Sequence, residues 1–292
     1  MTCPLFVELC AGTAALSLRL HHPRARPPVS RMGAKTGYAD AILRVLGLRP
    51  GQGSADRTHY IFCEPDQGVR LLLEAYRDRE LALAAADIIR GWKDEDPKEL
   101  WLRLRDEGPV KGPKVDPREV ARWSCGMLWT VAGTWPGGGF CGPGHVSKAG
   151  KVPFPSGTTY PRHIAARFDR VPELPATLTD DARKVDPPRL PEGTVCYMDP
   201  PYLGTTGYRH DLGRGAVLEI ARKWEAAGAL VCISEAEPIG ALVADGWSVV
   251  EITGERKGQK RTFSKQQREY LTLSRPPAWK PPVQGQLFGG AP

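Results

Sequence analysis

Apolar positions along the chain fall into two patterns. Short, largely apolar runs stand at 5–9, 60–63, 194–198 and 229–234, each bounded by turn residues. Runs of that length, rich in Val, Ile, Phe and Cys, predict strands buried on both faces. Between them apolar residues recur every three or four positions. That spacing predicts a helix beginning at Leu16, one over 39–46 closed by Gly47 and Pro50, a long amphipathic helix over 68–86, and another over 216–227. Strand and helix in alternation predict an α/β fold with a doubly wound, mostly parallel sheet. Residues 247–252 and 269–274 read as two further strands, paired as a hairpin.

From Asp96 the pattern dissolves. Residues 106–118 are rich in Gly, Pro and Lys, 118–131 has helical spacing, and turn residues then dominate as far as Tyr160. The expected organisation is one α/β domain built from 1–97 and 185–275, interrupted by a smaller inserted segment at 98–184. A Pro/Gly-rich tail at 276–292 is expected to be disordered. A chain of 292 residues is long enough to bury such a core. The seven cysteines are odd in number and form no Cys-x-x-Cys pair, which argues against metal ribbons and disulfide frameworks and fits a reducing cytoplasm. The opening residues lead straight into a strand, leaving no room for a signal peptide, and no apolar run approaches the ~20 residues that span a bilayer. The net charge of +7 is compatible with a polyanionic partner. A monomer is expected.

The candidate chemistry sits at strand ends. Asp199-Pro200-Pro201-Tyr202 follows the apolar run 194–198. An exocyclic amino nitrogen on an aromatic ring is a poor nucleophile, because its lone pair is delocalised. A carboxylate and a carbonyl that accept its hydrogens localise that pair, the prolines fix the turn, and the tyrosine offers a face on which a base can stack. The similar Asp186-Pro187-Pro188-Arg189 has neither a preceding strand nor an aromatic. The first strand carries Glu8 and is followed by the small-residue turn Cys10-Ala11-Gly12-Thr13, which lets backbone approach a ligand. The second strand ends at Glu64-Pro65, where an acid is placed to accept ribose hydroxyls or, with Asp66, to cap a helix. In a parallel sheet these three ends converge on one crevice.

Taken together these segments resemble the Dam-type DNA adenine N6-methyltransferases, over most of 5–275. Leu5-Phe6-Val7-Glu8-Leu9-Cys10-Ala11-Gly12-Thr13 resembles the family's first S-adenosylmethionine motif, and Tyr60-Ile61-Phe62-Cys63-Glu64-Pro65-Asp66 its ribose motif. The segment from Gly139-Phe140-Cys141 through Lys151-Val152-Pro153-Phe154 resembles its DNA-reading part, and Asp199-Pro200-Pro201-Tyr202 is its catalytic motif. The resemblance implies a Rossmann-like methyltransferase fold and S-adenosylmethionine as cofactor. It implies methyl transfer to N6 of a flipped-out adenine in DNA, with cofactor contacts from Glu8, Cys10, Ala11, Gly12, Thr13, Glu64, Pro65 and Asp199. Two departures stand out. The family's Gly-Lys segment precedes its first strand, whereas the candidate here, Arg31-Met32-Gly33-Ala34-Lys35, follows it, with Lys35 as the cofactor contact. The arginine that reads GATC in the family is replaced by Gly142, so GATC recognition is not carried over.

Further DNA contacts are expected from Phe140, Lys151 and Pro153, and from Arg256, Lys257, Lys260, Arg261 and Lys265, basic residues between the last two strands that would track phosphates. Trp129, Trp135, Phe140 and His145 are candidates for stacking on bases, Trp129 being the best suited to a core instead. In the tail, Gln284, Leu287 and Phe288 form a Gln-x-x-Leu-Phe peptide resembling those that dock on the bacterial DNA polymerase sliding clamp. The competing functions are a transferase acting on N4 of cytosine or on an RNA base, and a non-catalytic DNA-binding accessory protein. Cytosine C5 chemistry is disfavoured, since the chain has no Pro-Cys site.

Overall fold

The structure is a computed structural model that describes residues 1–29, 35–108, 114–144, 159–202, 212–252 and 269–279. Among these residues seven strands form one sheet: β1 (Leu5–Leu9), β2 (His59–Cys63), β3 (Ala176–Thr179), β4 (Val195–Met198), β5 (Leu230–Glu235), β6 (Ser248–Ile252) and β7 (Glu269–Leu273). Their spatial order is β3-β2-β1-β4-β5-β7-β6. The first five run parallel, and β7 is antiparallel to both of its neighbours. Order reverses at β1, which pairs with β2 on one side and β4 on the other, so a crevice opens where β1 and β4 end.

Both faces of the central strands are covered, which is why they read as largely apolar runs. Phe6, Tyr60, Phe62, Val195, Tyr197 and Cys232 point to one face, toward α1 (Ala15–His21), α2 (Ala39–Val45) and α4 (Gln67–Arg77). Leu5, Val7, Leu9, Cys196, Met198 and Ile233 point to the other, toward α9 (Arg214–Ala226) and α10 (Gly240–Ala244). A one-turn helix, α3 (Gln52–Ala55), precedes β2. The hairpin expected at 247–252 and 269–274 is present as β6 and β7.

Several expectations need correcting. The long helix over 68–86 is two helices, α4 and α5 (Arg79–Gly91), because Asp78 is extended and its carboxylate takes the Leu81 N–H at 3.0 Å. The stretch after Asp96 holds three helices, α6 (Pro97–Asp106), α7 (Pro117–Leu128) and α8 (Pro161–Phe168), of which α7 alone is the one expected, over 118–131. The first two each begin with an Asp N-cap and a Pro at the first turn, Asp96-Pro97 and Asp116-Pro117. These helices share one apolar cluster with α4 and α5. α7 docks on α4 where Gly68 leaves room: a Cβ there would lie 2.0 Å from the Trp123 ring. Strand β3 also falls inside 98–184, at the edge of the sheet. Four residues, three half-covered and one exposed, gave it too short a signal. The disorder expected after Arg275 does not begin there, since the Ala278 N–H bonds the Val45 carbonyl at 3.0 Å and Arg44 lies over the Trp279 ring. No helix among the described residues is long and apolar enough to cross a membrane.

Candidate active site

The turn after β1 is tightly wound. Cys10, Gly12 and Ala14 all have left-handed backbones, with φ of 62°, 51° and 47°. For Cys10 and Ala14 that conformation costs about 1–2 kcal/mol each, so the surroundings must hold it. The Ala11 N–H bonds the Cys63 carbonyl and the Gly12 N–H bonds Glu64 Oε2, both at 2.8 Å. Beneath the turn, Glu8 accepts the Ser17 N–H at 3.2 Å and the Ser17 hydroxyl. The N-cap of α1 is Ala14, which has no side-chain acceptor, so Glu8 serves that role from the strand. Glu8 is thus buried under the turn and shapes it from below.

The two acids after β2 divide the labour. Asp66 caps α4 through the N–H groups of Gly68 and Val69. Glu64 links two loops, taking the Gly12 N–H on one oxygen and the Asp66 N–H on the other at 2.9 Å. Pro65, between them, leaves no N–H to compete. Glu64 stands at the crevice with its orientation fixed before anything binds. Beside it, Gln67, Arg70, Leu71, Val115, Leu178 and Asp180 line a cleft of about 520 Å³.

The turn after β4 lies against the turn after β1, because the Asp199 N–H continues the pairing to the Leu9 carbonyl at 3.3 Å. Lys35, the first residue of a single 3-10 turn (Lys35–Gly37), reaches across to it. Its ammonium is 2.5 Å from Asp199 Oδ1, 3.6 Å from Glu269 Oε1 and 4.9 Å from the centre of the Tyr202 ring. Lys35, the candidate cofactor contact, thus has its ammonium at the turn after β4, paired with Asp199. The Tyr202 hydroxyl donates to Glu269. Burial, with Asp199 and Glu269 close by, pushes the Tyr202 phenol far above its ordinary range, so it stays protonated. Burial, reinforced by Glu64, also raises the Cys10 thiol, which makes it no nucleophile.

Comparison with protein-family models and with curated proteins finds no match.

Three residues at this edge carried no signal in the sequence reading. Glu269 and Ser234 form a network with Tyr202, and Glu235, the last residue of β5, pairs with Arg214 at 3.1 Å. Two buried hydroxyls, Thr13 Oγ1 in the turn after β1 and Thr36 Oγ1 next to Lys35, are among eight buried polar side-chain atoms of the described residues that have no hydrogen-bond partner there. Among the described residues no group of acids, histidines and cysteines is arranged to hold a metal ion.

The expected DNA contacts fare unevenly. Phe140 is half-buried, with its ring 5.7 Å from that of Trp101. Trp135 is a core residue rather than a stacking platform. It covers Gly126, whose Cβ would lie 2.3 Å from the indole. Trp129 is wholly buried, as its setting suggested. At Gly142 a Cβ would stand 2.6 Å from the Phe140 ring, so an arginine would not fit this packing. Lys151, Pro153, His145, Arg256, Lys257, Lys260, Arg261, Lys265, Gln284, Leu287 and Phe288 lie outside the described residues.

Burial raises Glu8 from its ordinary 4.5 to about 7 and Glu235 likewise, Arg214 partly opposing the second. The folded chain therefore keeps protons that the unfolded chain has already released. The stability these groups add is full below about pH 4.5 and is lost as pH rises through about 7. Glu8→Gln should accordingly lose less stability than the wild type between about pH 5 and about pH 8, measured as urea midpoints. An equally steep fall in both proteins would refute this.

Proposed function

We propose that the protein is an S-adenosylmethionine-dependent methyltransferase acting on the exocyclic amine of a nucleic-acid base, with N6 of adenine in DNA as the favoured acceptor. The observation that carries the reading is the meeting of two turns: the Asp199 N–H reaches the Leu9 carbonyl where the strained Cys10–Ala14 turn begins, Lys35 joins Asp199 to the Tyr202 ring, and Glu64 is fixed alongside. The donor set suits the cofactor. Glu64 offers a pre-oriented acceptor for ribose hydroxyls, the half-exposed backbone at Cys10 and Gly12 and the Thr13 and Thr36 hydroxyls suit the polar amino-acid end, and the cleft at Leu71 and Leu178 suits a flat ring. When bound, the cofactor supplies an electrophilic methyl group on a sulfonium.

The chain's own residues do the rest. Asp199 accepts a hydrogen bond from the incoming amine and turns its lone pair toward the methyl group. As the amine gains its N–C bond it gives up that hydrogen-bonded proton through Asp199 to solvent, with the cofactor left as a neutral thioether. Pro200 and Pro201 supply carbonyls without competing N–H groups and keep the turn from relaxing. Tyr202 presents its ring to the base, and Lys35 balances the charge of Asp199 and Glu269 while standing over that ring. Basic residues at 256–268 would hold the phosphates.

The test is direct. Purified protein is incubated with methyl-labelled S-adenosylmethionine and double-stranded DNA, and the digested nucleosides are separated. Label in N6-methyladenine supports the reading. Label in N4-methylcytosine moves the acceptor, label only with RNA moves the substrate, and none in any of them leaves the accessory-protein reading. Glu64→Ala should weaken cofactor binding at least about tenfold by calorimetry, since it removes an acceptor and frees the Gly12 loop; unchanged affinity would remove Glu64 from the site. The Gln284, Leu287 and Phe288 peptide is proposed to dock on the sliding clamp. Leu287→Ala with Phe288→Ala should abolish binding to purified clamp and leave methylation of a short oligonucleotide unchanged.

A further inference from the structure

We infer that Glu269 is the positioning residue of this site: it locks the Tyr202 ring and the Lys35 ammonium in place, an inference that rests on the proposed function.

The topology explains how a residue so far along the chain reaches the catalytic edge. β7 runs opposite to β5, so its first residue, not its last, lies level with the ends of the parallel strands. Tyr270 pairs with Glu235 at the end of β5, and Glu269 precedes it. The side chain is buried, and its Oε1 receives two hydroxyls, from Tyr202 and from Ser234, with Lys35 Nζ 3.6 Å away.

A buried acid is costly unless compensated. Two hydroxyl donors and an ammonium are a costly set to assemble for structure alone, since an apolar side chain would fill the same space. What the set achieves is geometric. A tyrosine has two side-chain torsions, and a hydroxyl held at the far end of the ring, with the backbone held by Pro201, leaves neither free. The face on which a base would stack is then fixed in advance. The ammonium of Lys35, drawn toward both Glu269 and Asp199, lies over the same ring. A base entering this site meets a surface already ordered, which is how orientation becomes rate.

The test compares Glu269→Leu, Tyr202→Phe and the double variant, each checked for folding by thermal melting. Positioning through the Tyr202 hydroxyl predicts that Glu269→Leu, which removes the acceptor, lowers kcat by about 10- to 100-fold with KM for S-adenosylmethionine within about twofold of wild type. It also predicts that the loss in the double variant is smaller than the product of the two single losses. A kcat near wild type in Glu269→Leu, or losses that multiply fully in the double variant, would overturn it. A second measurement needs no activity. In free protein labelled at the tyrosine ζ carbon, the Tyr202 signal, identified by its absence in Tyr202→Phe, should shift in Glu269→Leu. An unmoved signal overturns the contact. If the wild type transfers no methyl group, the proposed function fails, while this spectrum still decides whether Glu269 holds Tyr202.

Discussion

Asp199→Ala should abolish methyl transfer, lowering the rate by at least about 100- to 1000-fold, while the protein remains folded. That is the scale seen when one pre-oriented polar group is removed from where charge develops. The carboxylate is the side chain of the turn that can accept a hydrogen from an approaching amine, and methyl substitution leaves the prolines and Tyr202 where they are. The structure also sets the side effect. Lys35 is buried and loses its nearest carboxylate, with Glu269 at 3.6 Å remaining. A cost of about 1–3 kcal/mol in stability is expected from that. Activity and stability are therefore both to be measured, initial rates with labelled cofactor against thermal melting. A variant that keeps near-normal turnover would remove Asp199 from the mechanism. Asp199→Asn retains an oxygen acceptor and loses the partner of Lys35, so it should fall between wild type and Ala.

The second large effect is on stability and lies away from the site. Trp129→Ala should cost about 3–5 kcal/mol, seen as a lowered urea midpoint. The indole is wholly buried, and its Nε1–H bonds the Thr159 carbonyl at 2.9 Å. The Cys141 N–H bonds the Trp129 carbonyl at 2.7 Å, and Gly142 lies against the ring for want of a side chain. Truncation would leave a cavity and an unpaired carbonyl together. Trp129→Phe keeps most of the volume and should recover more than half of the loss. A cost below about 1 kcal/mol for the Ala variant would mean that the site collapses freely.

How much of this was legible in the sequence follows from which signals are local. β1, β2, β4 and β5 were readable because both faces are covered, and residues 5–9 needed no knowledge of what covers them. β3 was not, since Ala176 and Thr177 at an edge strand look like a loop. Of the helices after Asp96, α7 was readable from the apolar spacing over 118–131, while the Asp96-Pro97 start signal of α6 was outweighed by the Gly/Pro-rich stretch that follows it. Asp199, Tyr202 and Glu64 were readable because each follows a strand that ends at the crevice. Glu269 was not, because an acid at the start of a strand reaches that edge only if the strand is reversed, and reversal is a property of the sheet. Lys35 was noticed for its neighbours, but its partner Asp199 lies 164 residues away, and no spacing rule reports such a pair.

The place of β7 bears on how the chain comes off the ribosome. It is synthesised after β6 yet inserted between β5 and β6, so β6 has no neighbour among the described strands until β7 arrives. A nascent chain that has emerged only as far as Ile252 already carries Asp199, Tyr202 and Glu64. It still lacks Glu269, and the side of β5 is open along its whole length. Pairings this distant in sequence form late and slowly. During that interval the chain has an unfinished active edge and an exposed strand on which a second nascent chain could add. Termination of synthesis before residue 269 would therefore yield aggregation rather than a folded protein of lower stability.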